Sequence, residues 1–235
     1  MPRIARVCGI NYPHHITQRG NNREAVFFND EDRRFYLRTL IRYSDRWDFE
    51  IWAYCLMNNH VHILAVPRKE ESLAKGIGST NLVYTQYINR RYNRSGRLWQ
   101  NRFFSAVIER EPYLWAVVRY IERNPVRGSV VKKAEDYPWS SARAHVLKVR
   151  DVVLSGESWL EEDELDVYRN FLRKDDKKLD DVIRKATSTG RPLGRGEFTK
   201  NIGAMIGRDI SLREVGRPQK SNHKNREVSL ISLIS

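Results

Sequence analysis

Two histidines separated by one residue lie inside the apolar segment "YCLMNNHVHILAVP". On a β-strand, residues i and i+2 point to the same face, so His60 and His62 project side by side while Val61 and Ile63 point the other way. Two imidazoles placed in this way can share one divalent cation. Such a pair can equally be hydrogen-bonded to neighbouring polar groups, so a metal site requires a third ligand and a reacting group.

The segment "WAVVRYIERNPVRG" supplies a candidate for each of these two roles. Tyr120 and Asn124 are four residues apart, which places them on one helical face about one turn apart. The amide oxygen of Asn124 is a hard ligand, and the Tyr120 hydroxyl is a candidate reacting group. Packing in the core is the alternative for Tyr120. A separate apolar stripe would already hold this helix in place: Leu114, Val117, Val118 and Ile121.

The composition favours a phosphate-rich partner. The 235 residues carry a formal net charge of +13, which raises affinity for nucleic acids through counterion release. Cys8 and Cys55 lie far apart, so neither a disulfide framework nor a zinc finger is predicted. No apolar run approaches the roughly 18 to 20 residues that span a bilayer, and the first residues lack a signal-peptide core. We therefore expect a soluble cytoplasmic protein without a membrane partner.

The charge is concentrated in one segment, residues 72–108, which contains six basic residues and no acidic one. Aromatic residues alternate with the arginines. Guanidinium groups bind phosphates and aromatic faces stack on unpaired bases, although a helix with solvated arginines and buried tyrosines would give the same pattern. Nucleic-acid contacts are predicted for Arg90, Arg91, Arg94, Arg97, Trp99 and Arg102, together with Arg19 and Arg123 near the proposed site.

The elements that must position these residues follow from periodicity and punctuation. Pro125 disfavours helical geometry in the residue before it, so the helix that begins at Pro112 should stop at Asn124. The predicted order is a strand at 14–19, a helix at 32–46 capped by Asn29 or Asp30, strands over "FEIWAYCLM" and "HVHILAV", a helix at 72–92, a strand at 103–109 and the last helix. This βαββαβ order predicts an α+β fold, a ferredoxin-like plait with an antiparallel sheet and helices on one face.

The charge balance changes after residue 146, and we predict three parts of the chain from it. Residues 1–146 form the domain that contains the histidine pair, 147–215 a small helical accessory domain interrupted at Gly190 and Pro192, and 216–235 a basic, mobile tail. A Gly-Arg-Pro tripeptide occurs twice, at 190–192 and at the start of the tail, 216–218. Arg217 in the second copy is predicted to contact DNA in a narrow minor groove, with a plain solvated linker as the alternative.

Four motifs together make the chain recognisable. His60-Val61-His62, the run "GRLWQNRF", the helix end "RYIERNPVRG" and the following "YPWSSARAH" resemble the single-tyrosine HUH transposases of the insertion-sequence-200-like family, in particular the REP-associated tyrosine transposases. The resemblance covers about residues 10 to 146. It implies that His60, His62 and Asn124 bind Mg²⁺ or Mn²⁺ and that Tyr120 is the nucleophile. Insertion-sequence relatives often carry glutamine at the position of Asn124.

The resemblance also implies a reaction and a substrate. The cation would act as a Lewis acid on a phosphodiester of hairpin-forming single-stranded DNA, and the tyrosine would form a 5′-phosphotyrosine linkage and release a 3′-OH. Insertion-sequence relatives commonly dimerise, so a homodimer is an open expectation. The alternative is a non-enzymatic nucleic-acid-binding regulator on the same fold. A zinc hydrolase is disfavoured because no glutamate accompanies the histidines as in H-E-x-x-H.

Overall fold

The computed structural model describes residues 7–155, 159–160 and 162–207. It contains a four-stranded sheet and eight α-helices within those ranges. The strands are β1 (His14–Arg19), β2 (Phe49–Met57), β3 (His60–Pro67) and β4 (Phe104–Val107). The helices are α1 (Asp30–Trp47), α2 (Ser72–Arg91), α3 (Arg110–Glu122), α4 (Asn124–Arg127), α5 (Ala142–Leu147), α6 (Leu165–Arg173), α7 (Lys177–Thr189) and α8 (Gly196–Met205).

The sheet has the order β2-β3-β1-β4, and every neighbouring pair is antiparallel. Together with the βαββαβ order along the chain, this is the topology of a ferredoxin-like plait, so the predicted fold class is confirmed. The two central strands are β1 and β3. Their register places Arg19 opposite His60 and Thr17 opposite His62, which fixes the residues that surround the histidine pair.

Helices α1 and α2 cover the first face of the sheet. The N-terminus of α1 has a capping box: Asn29 accepts from the backbone of Asp32, and the Asp32 carboxylate accepts from the backbone of Asn29. Tyr36 of α1 and Tyr84 of α2 are fully buried against the strands in one hydrophobic cluster. This face contains the odd-numbered residues of β3, among them Val61 and Ile63.

The opposite face is covered as well, which the prediction of helices on one face did not include. Leu64 and Val66 of β3 pack in a second cluster with Val117 and Ile121 of α3 and with Ile183 of α7. The reason is visible in β3, because every residue of this strand after the first is buried. A strand that is apolar on both sides needs a helical layer on both sides.

The C-terminal helices lie against the sheet. Helix α7 packs on β4 and β1 and ends at Gly190, which has a positive φ of 72°. Leu193 then forms an isolated parallel bridge with Ile108 beside the end of β4. The division at residue 146 stays a prediction, and residues 216–235 lie outside the described ranges. Within those ranges, no helix is both long and apolar enough to cross a membrane.

Candidate metal site and nucleic-acid surface

Strand β3 presents its two histidines to the face that α3 covers. The ring centroids of His60 and His62 are 5.1 Å apart. His62 is buried, whereas His60, at the first position of the strand, is partly exposed. The rings therefore lie side by side, with one enclosed in the protein and the other at its surface.

A break between α3 and α4 places the other two candidates. Helix α3 ends at Glu122, and α4 begins at Asn124 with Pro125 in its first turn, close to the predicted end of the helix. The Oδ1 atom of Asn124 lies 3.3 Å from Nε2 of His60. The ring centroid of Tyr120 lies 5.6 Å from that of His62. The structure thus brings together all four residues selected from the sequence.

The hydrogen bonds around His60 are suited to cation binding. Nδ1 of His60 is 2.6 Å from Oδ1 of Asn59, and this bond is attractive when Nδ1 carries the proton. The lone pair of Nε2 then faces the amide oxygen of Asn124. The Nδ2 group of Asn124 is buried and has no hydrogen-bond partner among the described residues. Two acceptors that face each other at this distance are arranged as two ligands of one cation would be.

The donor set is small. No group of three His, Cys, Asp or Glu side chains that could hold a metal occurs in the described part of the chain. A cation at this site would therefore have two imidazoles and an amide oxygen as protein ligands. Such a set leaves coordination positions for water and phosphate oxygens.

His15 is a member of this site that the sequence reasoning missed. It is fully buried on β1, and its ring stacks on that of His62 with a centroid distance of 5.2 Å. Its Nε2 lies 2.9 Å from Nδ1 of His62, and its Nδ1 lies 2.8 Å from Oγ1 of Thr187 on α7. The signal was the doubled "HH" of β1, but only the register with β3 shows which histidine faces the pair.

Burial keeps these imidazoles neutral. Desolvation lowers the pKa of His60 to about 4 and that of His15 to about 3, and it lowers the pKa of His62 well below its usual value. Neutral imidazole is the form that has a lone pair for a metal ion. The site therefore has the ligand form of histidine throughout the physiological pH range.

Tyr120 is enclosed by its neighbours, with 6% of its surface exposed. Its ring meets those of His15 and His62 edge-on, and the guanidinium carbon of Arg127 lies 4.1 Å from the ring centroid. Interaction with the Tyr120 side chain raises the pKa of Arg184 on α7, so these two side chains are neighbours. The phenol thus lies next to the histidines, as predicted, and α7 covers it.

A basic surface adjoins the exposed end of the histidine pair. Arg19 is exposed at the end of β1, opposite His60. The segment 96–102 is hydrogen-bonded to this strand end, because the Gln100 amide donates to the Arg19 carbonyl at 2.8 Å. Arg97 and Arg102 of this segment are exposed and line a groove of about 510 Å³. These three arginines remain candidates for phosphate contacts.

Two of the predicted contact residues have other surroundings. Trp99 is only 7% exposed; its ring packs near Tyr36 and Tyr84 in the core, which argues against stacking on a base. The Arg123 guanidinium donates to the carbonyl oxygens of Leu172 and Arg173 at the end of α6. Its donors are used inside the protein, which argues against a phosphate contact.

For the remaining arginines, the predicted contact with nucleic acid stays a prediction. Arg90 is exposed at the end of α2. Arg91 donates to the Tyr87 hydroxyl at 2.9 Å, and Arg94 lies 3.7 Å from a carboxylate oxygen of Glu24. Arg217 lies outside the described residues.

The fold and the site define a class of protein: a ferredoxin-like plait in which a central strand carries two histidines facing a tyrosine and an amide from one helix end. Residues 9–124 match the family model "Transposase IS200 like". The family resemblance predicted from the motifs is confirmed.

Two similar proteins extend this result. A protein of Haemophilus influenzae, assigned by inference as a REP-associated tyrosine transposase, is 29% identical over 122 residues, which cover 48% of this chain and 67% of that protein. A solved structure of a REP-associated tyrosine transposase bound to a REP hairpin has a TM-score of 0.52 and 19% identity, and the match covers 69% of this chain and 96% of that chain. At this identity the second match concerns the fold.

Proposed function

We propose that the protein is a metal-dependent enzyme that cleaves and rejoins single-stranded DNA with Tyr120 as its nucleophile. The observation that carries this proposal is the convergence of His60, His62, Asn124 and Tyr120 from two elements that are far apart in the sequence. The match of residues 9–124 to a transposase family model supports it. So does the fold that the chain shares with a relative bound to a REP hairpin.

His60, His62 and Asn124 would hold Mg²⁺ or Mn²⁺. When bound, the cation supplies Lewis-acid polarisation of a phosphodiester. Two nitrogen ligands beside one oxygen ligand favour Mn²⁺, because Mg²⁺ prefers oxygen ligands. The unpartnered amide nitrogen of Asn124 is consistent with an oxygen held in place for a cation and not for a hydrogen-bond donor.

The chain's own residues define the covalent step. The Tyr120 oxygen would form a bond to phosphorus while the bond from phosphorus to the 3′ oxygen breaks, giving a 5′-phosphotyrosine linkage and a 3′-OH. The phenolic proton leaves to solvent, and the departing 3′ oxygen takes up a proton. Arg184 of α7, which neighbours the Tyr120 side chain, would donate to the phenolic oxygen as its proton leaves. A later 3′-OH reverses the step and rejoins DNA.

The surroundings of the site fit a DNA strand on one side only. Arg19 lies at the end of β1 opposite His60, and Arg97 and Arg102 lie in the segment that is hydrogen-bonded to this strand end. These arginines would neutralise backbone phosphates. Helix α7 covers Tyr120 on the other side, so the phenol is enclosed in this arrangement. Hairpin-forming repeat DNA is the proposed substrate, and a homodimer stays a prediction.

The alternative function is a DNA-binding regulator without catalysis. The burial of Tyr120 under α7 favours it, since a phenol held in the core can be a packing residue. Both functions predict salt-sensitive DNA binding. Only a covalent intermediate separates them.

The test is a protein–DNA adduct. Hairpin-bearing single-stranded DNA labelled at its 3′ end is incubated with the protein and Mn²⁺ and denatured, and the label that migrates with protein is measured. We expect an adduct in wild type and in the control Tyr113→Phe on the same helix, and none in Tyr120→Phe or His60→Ala. Wild-type protein that binds the hairpin without forming an adduct would favour the regulator. An adduct in Tyr120→Phe would assign the nucleophile to another residue.

A further inference from the structure

A chain of hydrogen bonds leads from α7 to one of the histidines of the HxH pair. The Thr187 hydroxyl lies 3.0 Å from the Ile183 carbonyl and donates to it. Since a hydroxyl has one proton, its oxygen must act as acceptor toward Nδ1 of His15, 2.8 Å away. The His15 ring then carries its proton on Nδ1, and its Nε2 is an acceptor for Nδ1–H of His62 at 2.9 Å.

The direction of this chain depends on His15 being neutral, and its surroundings require that. The ring is fully buried, between the stacked His62 ring and the edge of the Tyr120 ring. The cation of Arg127 lies over that same tyrosine ring. A second positive charge placed there without a carboxylate partner would be strongly unfavourable.

We propose that His15 is a positioning residue that holds His62 in the Nδ1–H tautomer, with the lone pair of Nε2 available to a ligand, and that Thr187 of α7 sets this polarity. The part that concerns a metal ion rests on the proposed function. A neutral imidazole otherwise distributes its proton between both nitrogens, and only the tautomer with bare Nε2 can bind a cation through that atom. Helix α7 therefore influences, through His15, which nitrogen of His62 on β3 is available to a ligand.

The tautomer can be measured directly in the metal-free protein. Two-bond ¹H–¹⁵N correlation spectra at neutral pH distinguish a protonated from a bare imidazole nitrogen, and we expect Nδ1–H for both His62 and His15. Thr187→Val removes the hydroxyl and keeps the shape, and we expect it to mix the tautomers of both rings. Thr187→Ser keeps the hydroxyl and should preserve the wild-type spectrum. Thr189→Val removes a hydroxyl on the same helix that bonds only to backbone carbonyls, and it is the matched control.

A titration with Mn²⁺ gives a second readout. We expect the dissociation constant of Thr187→Val to be about tenfold higher or more, in line with the loss of an outer-sphere partner, and those of Thr187→Ser and Thr189→Val to stay within about twofold of wild type. Thermal unfolding of all variants shows whether Thr187→Val is folded.

The outcomes separate this inference from the proposed function. His62 protonated on Nε2 in wild type overturns the inference, whatever the variants do. An unchanged tautomer and Mn²⁺ affinity in folded Thr187→Val overturns the role of α7. If wild type shows the Nδ1–H tautomer but takes up no Mn²⁺, the metal-dependent function fails while the hydrogen-bonded arrangement stands.

Discussion

The Oδ1 atom of Asn124 and Nε2 of His60 meet at 3.3 Å, although 64 residues separate them in the chain. One atom belongs to the helix end after α3, and the other to the first residue of β3. Because Asn59 occupies the Nδ1 side of His60, both atoms in this contact present lone pairs. The two atoms thus bring the start of α4 and the start of β3 together at a position where a cation could bind between them.

Asn124→Leu tests this contact. We expect Mn²⁺ affinity to fall at least tenfold, because the amide ligand is lost. We expect the metal-free free energy of unfolding to stay the same or rise by about 1 kcal/mol, since the substitution removes a buried and unpartnered amide nitrogen. Urea unfolding in the presence of a chelator measures the second effect. A variant that loses several kcal/mol without metal would show that Asn124 is structural.

Arg97 and Arg102 should account for part of the salt dependence of DNA binding. Each phosphate contact to a single strand contributes about −0.7 to the slope of log K against log salt concentration. Replacing both by alanine should make this slope shallower by about 1.4 units, measured by fluorescence anisotropy with hairpin DNA. Arg42→Ala, an exposed arginine on α1, is the control and should leave the slope unchanged. An unchanged slope in the double variant would place the DNA elsewhere.

Glu122 should be a stabilising residue, because its carboxylate is fully buried and accepts three hydrogen bonds. The donors are the Ser141 hydroxyl at 2.7 Å, Nδ1 of His145 at 2.6 Å and the Tyr168 hydroxyl at 2.8 Å. Glu122→Gln replaces an acceptor oxygen with a donor and should cost about 3 kcal/mol of unfolding free energy. Denaturant unfolding measures it. Glu111→Gln, an exposed position on the same helix, should change stability by less than about 0.5 kcal/mol.

Two glycines should respond to alanine in opposite directions. A Cβ atom on Gly20 would collide with the Glu24 carbonyl oxygen and lie 2.8 Å from the Val26 side chain, so Gly20→Ala should cost about 2 kcal/mol. A Cβ atom on Gly78 in α2 would meet open space, and Gly78→Ala should stabilise the helix by about 0.5 to 1 kcal/mol. Thermal and urea unfolding compare the two. Equal effects would contradict the described turn after β1.

His14 should make the protein less stable toward acid. Burial lowers its pKa from 6.5 to about 4, so the unfolded chain binds a proton more readily than the folded one between these values. The contribution of neutral His14 to the free energy of unfolding is then fully present above pH 6.5. It decreases as the pH falls toward 4, by about 3 kcal/mol for this pKa shift. His14→Gln should lose less stability than wild type across the same pH range. Parallel pH profiles of the two proteins would contradict this assignment.

The fold and the core of the site could be predicted because local patterns define them. The alternation around His60 and His62 fixes their common face, and the spacing of Tyr120 and Asn124 fixes theirs. The role of His15 could not be predicted, because it depends on a contact between two strands that joins residues 47 positions apart. The position of α7 could not be predicted either, because an amphipathic sequence shows which face of the helix is apolar but not which surface that face packs against.

At two positions the structure argues against the predicted DNA contact, for a related reason. The sequence of an arginine-rich segment does not show whether its tryptophan stacks on a base or packs against a neighbouring tyrosine. The Trp99 ring packs in the core. The Arg123 guanidinium satisfies carbonyl oxygens at the end of α6, a region whose position relative to α3 is not encoded locally.

The bridge between Ile108 and Leu193 has a consequence for shortened versions of the chain. The Leu193 amide donates to the Val107 carbonyl and the Glu109 amide donates to the Leu193 carbonyl, both at 2.8 Å, so this segment occupies hydrogen-bonding groups along the outer side of β4. A protein that ends before Leu193 would present those groups to other molecules, and uncovered strand edges promote self-association. The segment after α7 therefore covers the edge of β4 and keeps it from pairing with other molecules.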